Sequence, residues 1–280
     1  MMFLNDITIV ITTFYSETKV IECLKSINNK CKVIVVENSG SKKIKEKLES
    51  TYQNVDCILS KENMGYSKSN NLALKMVKTK YALVLNPDTI LQKDTLENFL
   101  HACGSIKDFA ILAPYIQTEE EKKHTKVPSN PIPAESVKGF AMFFNIKKFY
   151  EIGFFDENFF LYFEDIDLCR KVIKNNNKIF LLPSVKIDHK GAKSVELSDD
   201  KELEFNRNWH WMWSSFYYHK KHGGFLKAFI IFFPKLITTF AKFLIFTIFR
   251  HKNKSRIYLF RLSGLFNSMI GKKSWYRPKV

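Results

Sequence analysis

Five carboxylates lie among aromatic residues in one short stretch of the sequence, FFDENFFLYFEDIDLCRKV, which spans residues 154–172. Burial of a carboxylate is costly unless the group is paired or takes part in chemistry. Nearby apolar rings raise the pKa of a carboxyl group, because its charged form loses hydration. Such a group can accept a proton near neutral pH, which makes Glu164 and Asp165 candidates for a general base. The alternative is that Glu164, Asp165 and Asp167 only stabilise the N-terminal end of a helix.

Polar residues also follow four apolar, strand-like runs of the first half of the chain. In open α/β sheets, ligands bind beyond the carboxyl ends of the strands, where such side chains would meet at one edge. Asn, Asp, Gly and Pro are also common in turns, so any single segment could be only a turn. Four such ends in succession favour a binding edge. The segments are residues 12–14, 37–40, 62–66 and 86–88.

The sequence lacks two common phosphate-binding motifs. No Gly-x-Gly-x-x-Gly follows the first strand, and no Gly-Lys-Ser/Thr loop is present, which argues against a dinucleotide-binding fold and a P-loop nucleotidase. A metal ion could hold a phosphorylated ligand instead. Asp88 is a hard oxygen ligand at a strand end and suits Mg²⁺ or Mn²⁺ shared with a diphosphate. His189, at the end of a later strand, is a possible further ligand, although an isolated histidine is more often structural.

The elements that must position these residues alternate between strands and helices. Apolar runs rich in β-branched residues predict strands, and apolar residues at helical spacing predict helices. This order predicts an α/β fold with a mostly parallel sheet flanked by helices. Residues 117–136 are polar and contain three prolines, which predicts a loop. The predicted strands are 6–14, 32–38, 55–60, 81–88, 109–114, 137–145 and a pair within 178–189, and the predicted helices are 17–29, 42–50, 66–79, 93–103 and 164–175.

Charge is spread unevenly over the 280 residues, whose formal net charge is +16. Residues 205–280 contain 15 Lys and Arg and no Asp or Glu, while the first 204 hold the other 29 basic residues and all 28 acidic ones. A neutral body at 1–204 is thus followed by a basic, aromatic tail, which suggests an anionic membrane surface or nucleic acid. Five scattered cysteines favour a reduced, cytoplasmic protein. The opening residues MMFLNDITIVITTFY contain no basic region before the apolar run, so we expect no signal peptide.

Taken in order, the motifs resemble glycosyltransferase family 2, the inverting enzymes of the GT-A fold, over about residues 6–221. VITTFY is similar to the family's opening strand, and VVENSG to its nucleoside-binding turn. NMGYSKSNNLAL is similar to its Asn-x-Gly-aromatic helix start, and LNPDT stands in the place of its metal-binding Asp-x-Asp. GFFDENFFLYFEDIDLCRKV resembles its Glu-Asp-x-Asp-Leu-x-x-Arg segment, and HKGAKS resembles a motif of bacterial rhamnosyltransferase-like members.

The resemblance implies a role for each matching residue. Asp165 would be the catalytic base, with Glu164 beside it at the helix start, and Asp88 and His189 would hold Mg²⁺ or Mn²⁺. The family usually has Asp where this chain has Glu37, and an acid where it has Asn86, so the base contact and the metal affinity are both in question. Gly139 would let the backbone approach the donor sugar, unless it is an ordinary strand glycine. The implied nucleotide- and donor-binding residues are Thr12, Phe14, Glu37, Asn63, Gly65, Asn86 and Gly139.

The apolar segment 224–249 is long enough to span a bilayer. Against a span, Lys235 and Lys242 lie near its middle, where each would cost about 2.5–3.5 kcal/mol. Together with Thr238 they fall on one face, which favours an amphipathic helix at the membrane interface, kinked at Pro234. A transmembrane helix and a buried core or dimer helix are the alternatives. The aromatic residues of 209–218 suit a headgroup-level belt, an acceptor site or core packing.

The resulting hypothesis is an inverting glycosyltransferase, peripheral on the cytoplasmic face of the cell membrane. It would take a nucleotide-sugar donor, dTDP-rhamnose first and a UDP-hexose second, and a lipid-linked or cell-envelope glycan acceptor. Residues 1–204 would form the catalytic domain and residues 205–280 the membrane and acceptor region. A catalytically inactive glycan-binding relative is one alternative. A nucleic-acid-binding protein is another, but the tail is more apolar than a groove for single strands requires, so we expect no nucleic acid.

Overall fold

A computed structural model describes residues 3–27, 29–117, 126–189, 195–196 and 200–278. The chain forms two compact units. The first comprises Met1–Met64, Lys68–Phe155 and Asp165–Glu196, and the second comprises Gly65–Ser67, Asp156–Glu164 and Leu197–Val280. The predicted tail therefore forms most of the second unit, which also takes in two short segments from earlier in the chain.

A central sheet of eight strands forms the core of the first unit, in the order β3-β2-β1-β4-β8-β6-β9-β7. Four of the seven pairings described in this sheet are parallel, and the predicted α/β class is confirmed. β5 and β10 form a separate antiparallel pair. The strands are β1 Ile7–Thr13, β2 Lys32–Glu37, β3 Val55–Leu59, β4 Tyr81–Leu85, β5 Thr89–Leu91, β6 Ile111–Pro114, β7 Ile132–Pro133, β8 Ala141–Asn145, β9 Ile179–Leu182 and β10 Ile187–His189.

Helices connect the strands and cover the sheet with their apolar faces. α1 buries four apolar residues at helical spacing, Val20, Cys23, Leu24 and Ile27. α2 begins where the Ser41 hydroxyl accepts a hydrogen bond from the Ile44 N–H. A 3-10 helix at Leu4–Asp6 precedes β1, and the helices are α1 Glu17–Ile27, α2 Lys42–Thr51, α3 Gly65–Leu74, α4 Thr95–Ser105, α5 Ile146–Ile152 and α6 Glu164–Lys174.

The structure differs from the sequence prediction in several short elements. The predicted strand 81–88 ends at Leu85, because the Asn86 carbonyl accepts hydrogen bonds from the N–H and hydroxyl of Thr89 and so closes a turn. β5 then begins at Thr89. The predicted helix 66–79 ends at Leu74, α5 was not predicted, and β7 lies within the predicted loop 117–136.

Two helices, α7 (Asp200–Ile248) and α8 (Lys252–Met269), pack against each other and make up most of the second unit. A kink was predicted at Pro234, but the residue of α7 with non-helical dihedral angles is Gly224, at φ 81° and ψ 165°. Glycine tolerates a positive φ because it has no Cβ. The helix therefore breaks ten residues before the proline, and Pro234 lies inside the second part of α7.

The second unit has its own apolar core, which contains Met212, Phe216, Ala228, Phe232 and Leu265. α8 approaches α7 closely at Gly264, where an added Cβ would lie 2.2 Å from the carbonyl oxygen of Trp209. Among the tail aromatics, Trp209 and Trp213 are buried, which fits core packing, whereas Trp211 is half exposed.

One helix in the described part of the chain, Lys201–Ile248, is long and apolar enough to cross a membrane by length and composition. Only 11% of its most apolar window is buried within the protein. This is weak evidence by itself, so membrane attachment stays a prediction at this point.

Candidate active site

Asp165 lies in the first turn of α6, half buried, and its carboxylate is held by two backbone N–H groups. The Ile166 N–H donates to Oδ1 at 2.8 Å, and the Gly139 N–H donates to Oδ2 at 2.9 Å. Burial raises the pKa of Asp165, and the two hydrogen bonds offset part of this rise. Each carboxylate oxygen keeps a second lone pair. Asp165 is thus a rigidly oriented carboxylate that can still accept a proton.

Gly139 lies directly against this carboxylate. A Cβ added at Gly139 would lie 3.2 Å from Oδ2 and 3.3 Å from the Cβ of Asp165. A side chain at this position would crowd the hydrogen bond between the Gly139 N–H and Asp165. In the structure, Gly139 therefore lies against Asp165. The family resemblance had implied instead that this glycine lets the backbone approach a donor sugar.

Asp88 is fully buried as a side chain, and neither of its carboxylate oxygens has a hydrogen-bond partner in the described part of the chain. The His189 ring lies beside it, with Nε2 3.4 Å from Oδ1. The antiparallel pairing of β5 and β10 places His189 opposite Thr89, the residue after Asp88. The Phe140 ring stacks on the His189 ring at 4.5 Å and holds it in place. The two residues predicted to share a metal are therefore brought together.

This pair fits a divalent cation. A buried carboxylate without partners is costly and calls for a compensating positive charge. Two neighbouring ligands around an octahedral ion, each about 2.1 Å from it, would lie about 3 Å apart, close to the observed Oδ1–Nε2 separation. No cluster of three or more His, Cys, Asp or Glu side chains occurs among the described residues. The remaining ligands would therefore come from a bound diphosphate and water, as is usual for Mg²⁺.

Beside His189 lies a cavity of about 380 Å³. It brings the basic side chain of Lys138 near to Phe140 and His189, and sequence reasoning did not single out Lys138. Because residues 138–140 are consecutive, one segment lines the cavity, donates to Asp165 and stacks on His189. The lining residues are Ile116, Lys138, Phe140, Ile187, Asp188 and His189.

Helix α3 fastens the carboxyl ends of the first two strands through side-chain hydrogen bonds. The Thr12 hydroxyl donates to Asn70 Oδ1 at 3.1 Å, and the Ser69 hydroxyl donates to Asn38 Oδ1 at 2.9 Å. The next residue, Asn71, exchanges two hydrogen bonds with the backbone of Phe155. The polar run Ser69–Asn71 thus braces the strand ends, which its helical sequence pattern did not reveal.

The Glu37 carboxylate, predicted to contact the nucleoside, is fully buried and folded back on its own turn. Oε1 accepts from the N–H and hydroxyl of Ser39, at 3.0 and 2.6 Å, and Oε2 accepts from the Ser41 N–H at 2.9 Å. These bonds shape the turn into α2. Any nucleoside contact of Glu37 would use the one lone pair that remains, on Oε2.

The other predicted donor-binding residues lie at strand ends, as the topology requires. Phe14 follows β1, is partly buried and packs edge-on against Tyr15 at 4.7 Å. Asn63 precedes α3 and is partly exposed. The Asn86 N–H donates to the Phe140 carbonyl, so Asn86 is tied to the same segment that holds Asp165 and His189.

Gly65 has a packing role in the second unit. Its φ is +76°, and an added Cβ would lie 2.4 Å from the Phe160 ring and 2.5 Å from the Phe160 carbonyl oxygen. The Tyr66 N–H donates to that same carbonyl at 2.9 Å. Only glycine fits both the backbone conformation and the space.

The aromatic run before Glu164 belongs to the second unit, and Glu164 itself is buried. Phe159 packs on Tyr217, and Phe160 stacks on His210. Tyr162 and Phe163 both contact Trp211 and have positive φ values of 70° and 69°. Such a conformation is strained for bulky residues and is found most often at functional sites. The rings therefore anchor a strained turn immediately before α6.

The cysteines offer no competing nucleophile. All five are free and buried, and burial raises the pKa of each thiol to about 12. At neutral pH they stay protonated and unreactive.

Comparison with known proteins decides the family. The profile described as Glycosyl transferase family 2 matches residues 8–169, more than half of the chain. The chain belongs to glycosyl transferase family 2. The matched range contains Asp88, Gly139 and Asp165, and the resemblance inferred from the motifs is confirmed.

Named relatives are similar over about 200 residues. The chain is 24% identical to the low-salt glycan biosynthesis hexosyltransferase Agl10 of Haloferax volcanii, over 63% of this chain and 64% of that protein. It is 26% identical to the rhamnosyltransferase WbbL of Escherichia coli K12, over 61% of this chain and 77% of that protein. The match thus spans somewhat less than two thirds of the archaeal relative.

Among solved structures, a mannosyltransferase from Pyrobaculum calidifontis in complex with GDP-Man and Mn²⁺ aligns with a TM-score of 0.60 at 13% identity. The alignment covers 96% of this chain and 88% of the other. At this identity the likeness establishes the shared fold alone. The Glu-Asp-x-Asp segment of the chain lies at the start of α6, while residues 190–194 of its HKGAKS motif lie outside the described residues.

Proposed function

We propose that the protein is an inverting glycosyltransferase that uses a nucleotide-diphosphate sugar. One observation carries the proposal: within the segment Lys138–Phe140, the Gly139 N–H holds the Asp165 carboxylate and the Phe140 ring stacks on His189, which lies beside Asp88. Base and diphosphate site are thereby set up by the same three residues.

In the proposed reaction, an acceptor hydroxyl attacks the anomeric carbon of the donor sugar. Asp165 takes the hydroxyl proton as the new C–O bond forms. The bond from the anomeric carbon to the diphosphate breaks, and the diphosphate leaves with the electron pair from the opposite face. Configuration at the anomeric carbon is therefore inverted in one step, and Gly139 and Ile166 keep the carboxylate oriented for it.

Asp88 and His189 would hold Mg²⁺ or Mn²⁺, which would neutralise negative charge developing on the leaving diphosphate. The Lys138 side chain lines the cavity beside His189 and would add a further positive charge near the diphosphate. Thr12, Phe14 and Asn63, near strand ends, would contact the nucleoside, and Glu37 would do so through its one remaining lone pair, on Oε2.

The finer assignment follows the relatives. The likeness to a rhamnosyltransferase favours dTDP-rhamnose as donor, with a UDP-hexose second. We propose a lipid-linked or cell-envelope glycan as acceptor. The catalytic domain would lie within residues 1–204, and residues 205–280 would attach the protein peripherally to the inner face of the cell membrane.

A panel of nucleotide sugars tests the proposal. The purified full chain is mixed with each donor and Mn²⁺, and thermal shift and release of nucleoside diphosphate are measured. We expect one donor to stabilise the protein, and NMR of the glycoside formed with its acceptor to show an inverted anomeric centre. Binding without turnover on any acceptor would support a glycan-binding relative instead, and a product with retained configuration would exclude the proposed mechanism.

A further inference from the structure

The second unit contains a polar cavity of about 230 Å³, which is lined by both parts of α7 and by α8. Three cationic side chains line it: Lys235 and Lys242 from α7, and Arg261 from α8. In the second part of α7, Thr238, Thr239 and Lys242 lie three, four and seven residues after Lys235, so these four lining positions fall on one face of that part of the helix. The lining residues are Trp211, Met212, Ser215, Lys235, Thr238, Thr239, Lys242, Tyr258 and Arg261.

The three cations are held in place without a carboxylate. Lys235 lies over the Phe232 ring at 4.5 Å, and Lys242 lies over the Tyr258 ring at 5.7 Å. Arg261 Nε donates to Asn208 Oδ1 at 2.6 Å, which leaves its terminal nitrogens for another partner. In the described residues, no Asp or Glu lies within ion-pair distance of any of the three. No carboxylate of the described residues therefore pairs with these three positive charges, so a bound anion could do so.

Two buried hydroxyls also line this cavity. They belong to Ser215 and Thr239, which are only 4% and 7% exposed. Hydroxyls beside three cations can donate to the oxygens of a phosphate group.

The same helix presents an apolar face to solvent. Exposed residues recur every three or four positions along the second part of α7, from Leu226 to Ile248, and each is 43–74% exposed. An amphiphile with an anionic head and a long apolar tail matches these two surfaces. The exposed residues are Leu226, Ile230, Phe233, Ile237, Phe240, Leu244 and Ile248.

We propose that this cavity binds the diphosphate of a lipid, the headgroup of a diphosphate-linked acceptor on a long apolar chain. Three unneutralised cations suit a diphosphate, which carries two or more negative charges, better than a phospholipid diester, which carries one. The inference deepens the proposed function, because it assigns the chemical class of acceptor.

The test measures vesicle binding by the full chain without any donor sugar, so it does not depend on whether transfer occurs. Phosphatidylcholine vesicles contain either a polyprenyl diphosphate or phosphatidylglycerol, at matched total charge. We expect the protein to bind the diphosphate vesicles about tenfold more tightly, and millimolar inorganic pyrophosphate to compete. The variant K235Q/K242Q should lose this preference, because both side chains line the cavity.

The matched control is K227Q/K252Q, which removes two exposed lysines of the same region outside the cavity. It should lower binding to both vesicle types equally and keep the preference for diphosphate. Circular dichroism confirms that both variants are folded. Equal binding of the wild type to both vesicle types would overturn the proposal, since attraction to anionic lipid would then be general. An equal loss of preference in both double variants would overturn it as well.

Discussion

At the residue scale, Asp165 combines a raised pKa with fixed geometry, and the two have separate consequences. The hydrogen bonds from Gly139 and Ile166 orient the carboxylate, while burial raises its pKa above the ordinary value of 3.8. A base works only when ionised. Activity should therefore fall as the pH drops through the raised pKa, at a higher pH than an exposed aspartate would give.

We expect Asp165→Asn to lower the transfer rate by about 10²–10⁴-fold, the usual contribution of a general base. Donor affinity should stay near the wild-type value, because only the acceptor proton loses its destination. Single-turnover rates across pH, together with donor titrations, measure both effects. Glu164→Gln is the control and should be milder. If Glu164→Gln is the inactive variant and Asp165→Asn is not, the two roles are exchanged.

Asp88 provides a second test at this scale. Without Mn²⁺, the wild type should bind nucleotide at least about tenfold more weakly, because the diphosphate charge is then less compensated. Asp88→Ala should bind equally weakly with Mn²⁺ and with chelator, as calorimetry would show. In chelator, the melting temperature of Asp88→Ala should not fall below that of the wild type. The substitution removes a buried carboxylate that has no hydrogen-bond partner among the described residues, and burying such a group is costly.

The matched control for Asp88→Ala is Asp188→Asn, an exposed carboxylate in the same cavity that accepts from Gln92. This variant should keep the response to Mn²⁺. Identical nucleotide affinity of the wild type in chelator and in Mn²⁺ would rule out the metal and leave the diphosphate charge to basic side chains such as Lys138.

At the element scale, the sequence predicted what depends on local pattern. β1 and β2 are continuous apolar runs, and α1 has helical spacing, so each could be recognised without knowledge of its neighbours. The order of the strands and helices placed Asp88 at the ligand-binding edge, and the resemblance to the family paired it with His189. β5 has three residues, too few for a periodic signal, and its partner β10 lies almost a hundred residues later.

Site details that depend on distant contacts could not be predicted. Gly139 is an ordinary glycine in sequence, and its role emerges only because Asp165, 26 residues later, accepts its N–H. The sequence also could not predict that the Glu37 carboxylate accepts hydrogen bonds from Ser39 and Ser41 in its own turn. The break in α7 at Gly224 depends on a positive φ, which glycine tolerates because it has no Cβ, and nothing in the local sequence pattern marked this residue as the break.

A substitution at Gly264 tests how closely α7 and α8 pack against each other. A Cβ at this position would lie 2.2 Å from the Trp209 carbonyl oxygen, which is backbone and cannot rotate away. We expect Gly264→Ala to destabilise the protein by about 1–3 kcal/mol, the usual range for overpacking. Gly223→Ala is the control, because its Cβ would meet only the flexible side chain of Lys227. Denaturant unfolding of both variants measures the difference, and an equal effect would mean that α7 and α8 are not closely packed at Gly264.

At the scale of the whole molecule, charge and apolar surface coincide. The 15 basic residues of 205–280 share that region with the exposed apolar face of α7. An interfacial helix uses both features, through apolar burial and attraction to anionic headgroups. A spanning helix would instead have to place Lys235 and Lys242 near the bilayer centre.

The two modes of attachment respond differently to extraction. For an interfacial helix, 1 M salt should weaken vesicle binding, because the Debye length falls to about 3 Å, and alkaline carbonate should release the protein from membranes. Leu244→Glu, which places a charge on the exposed apolar face, should weaken binding further, whereas Lys254→Gln should have a smaller effect. Sedimentation of membranes after each treatment measures the bound fraction. Full-length protein that stays in the pellet through carbonate would contradict the interfacial mode and indicate a transmembrane anchor, since the apolar segment would then be shielded from the aqueous phase by lipid.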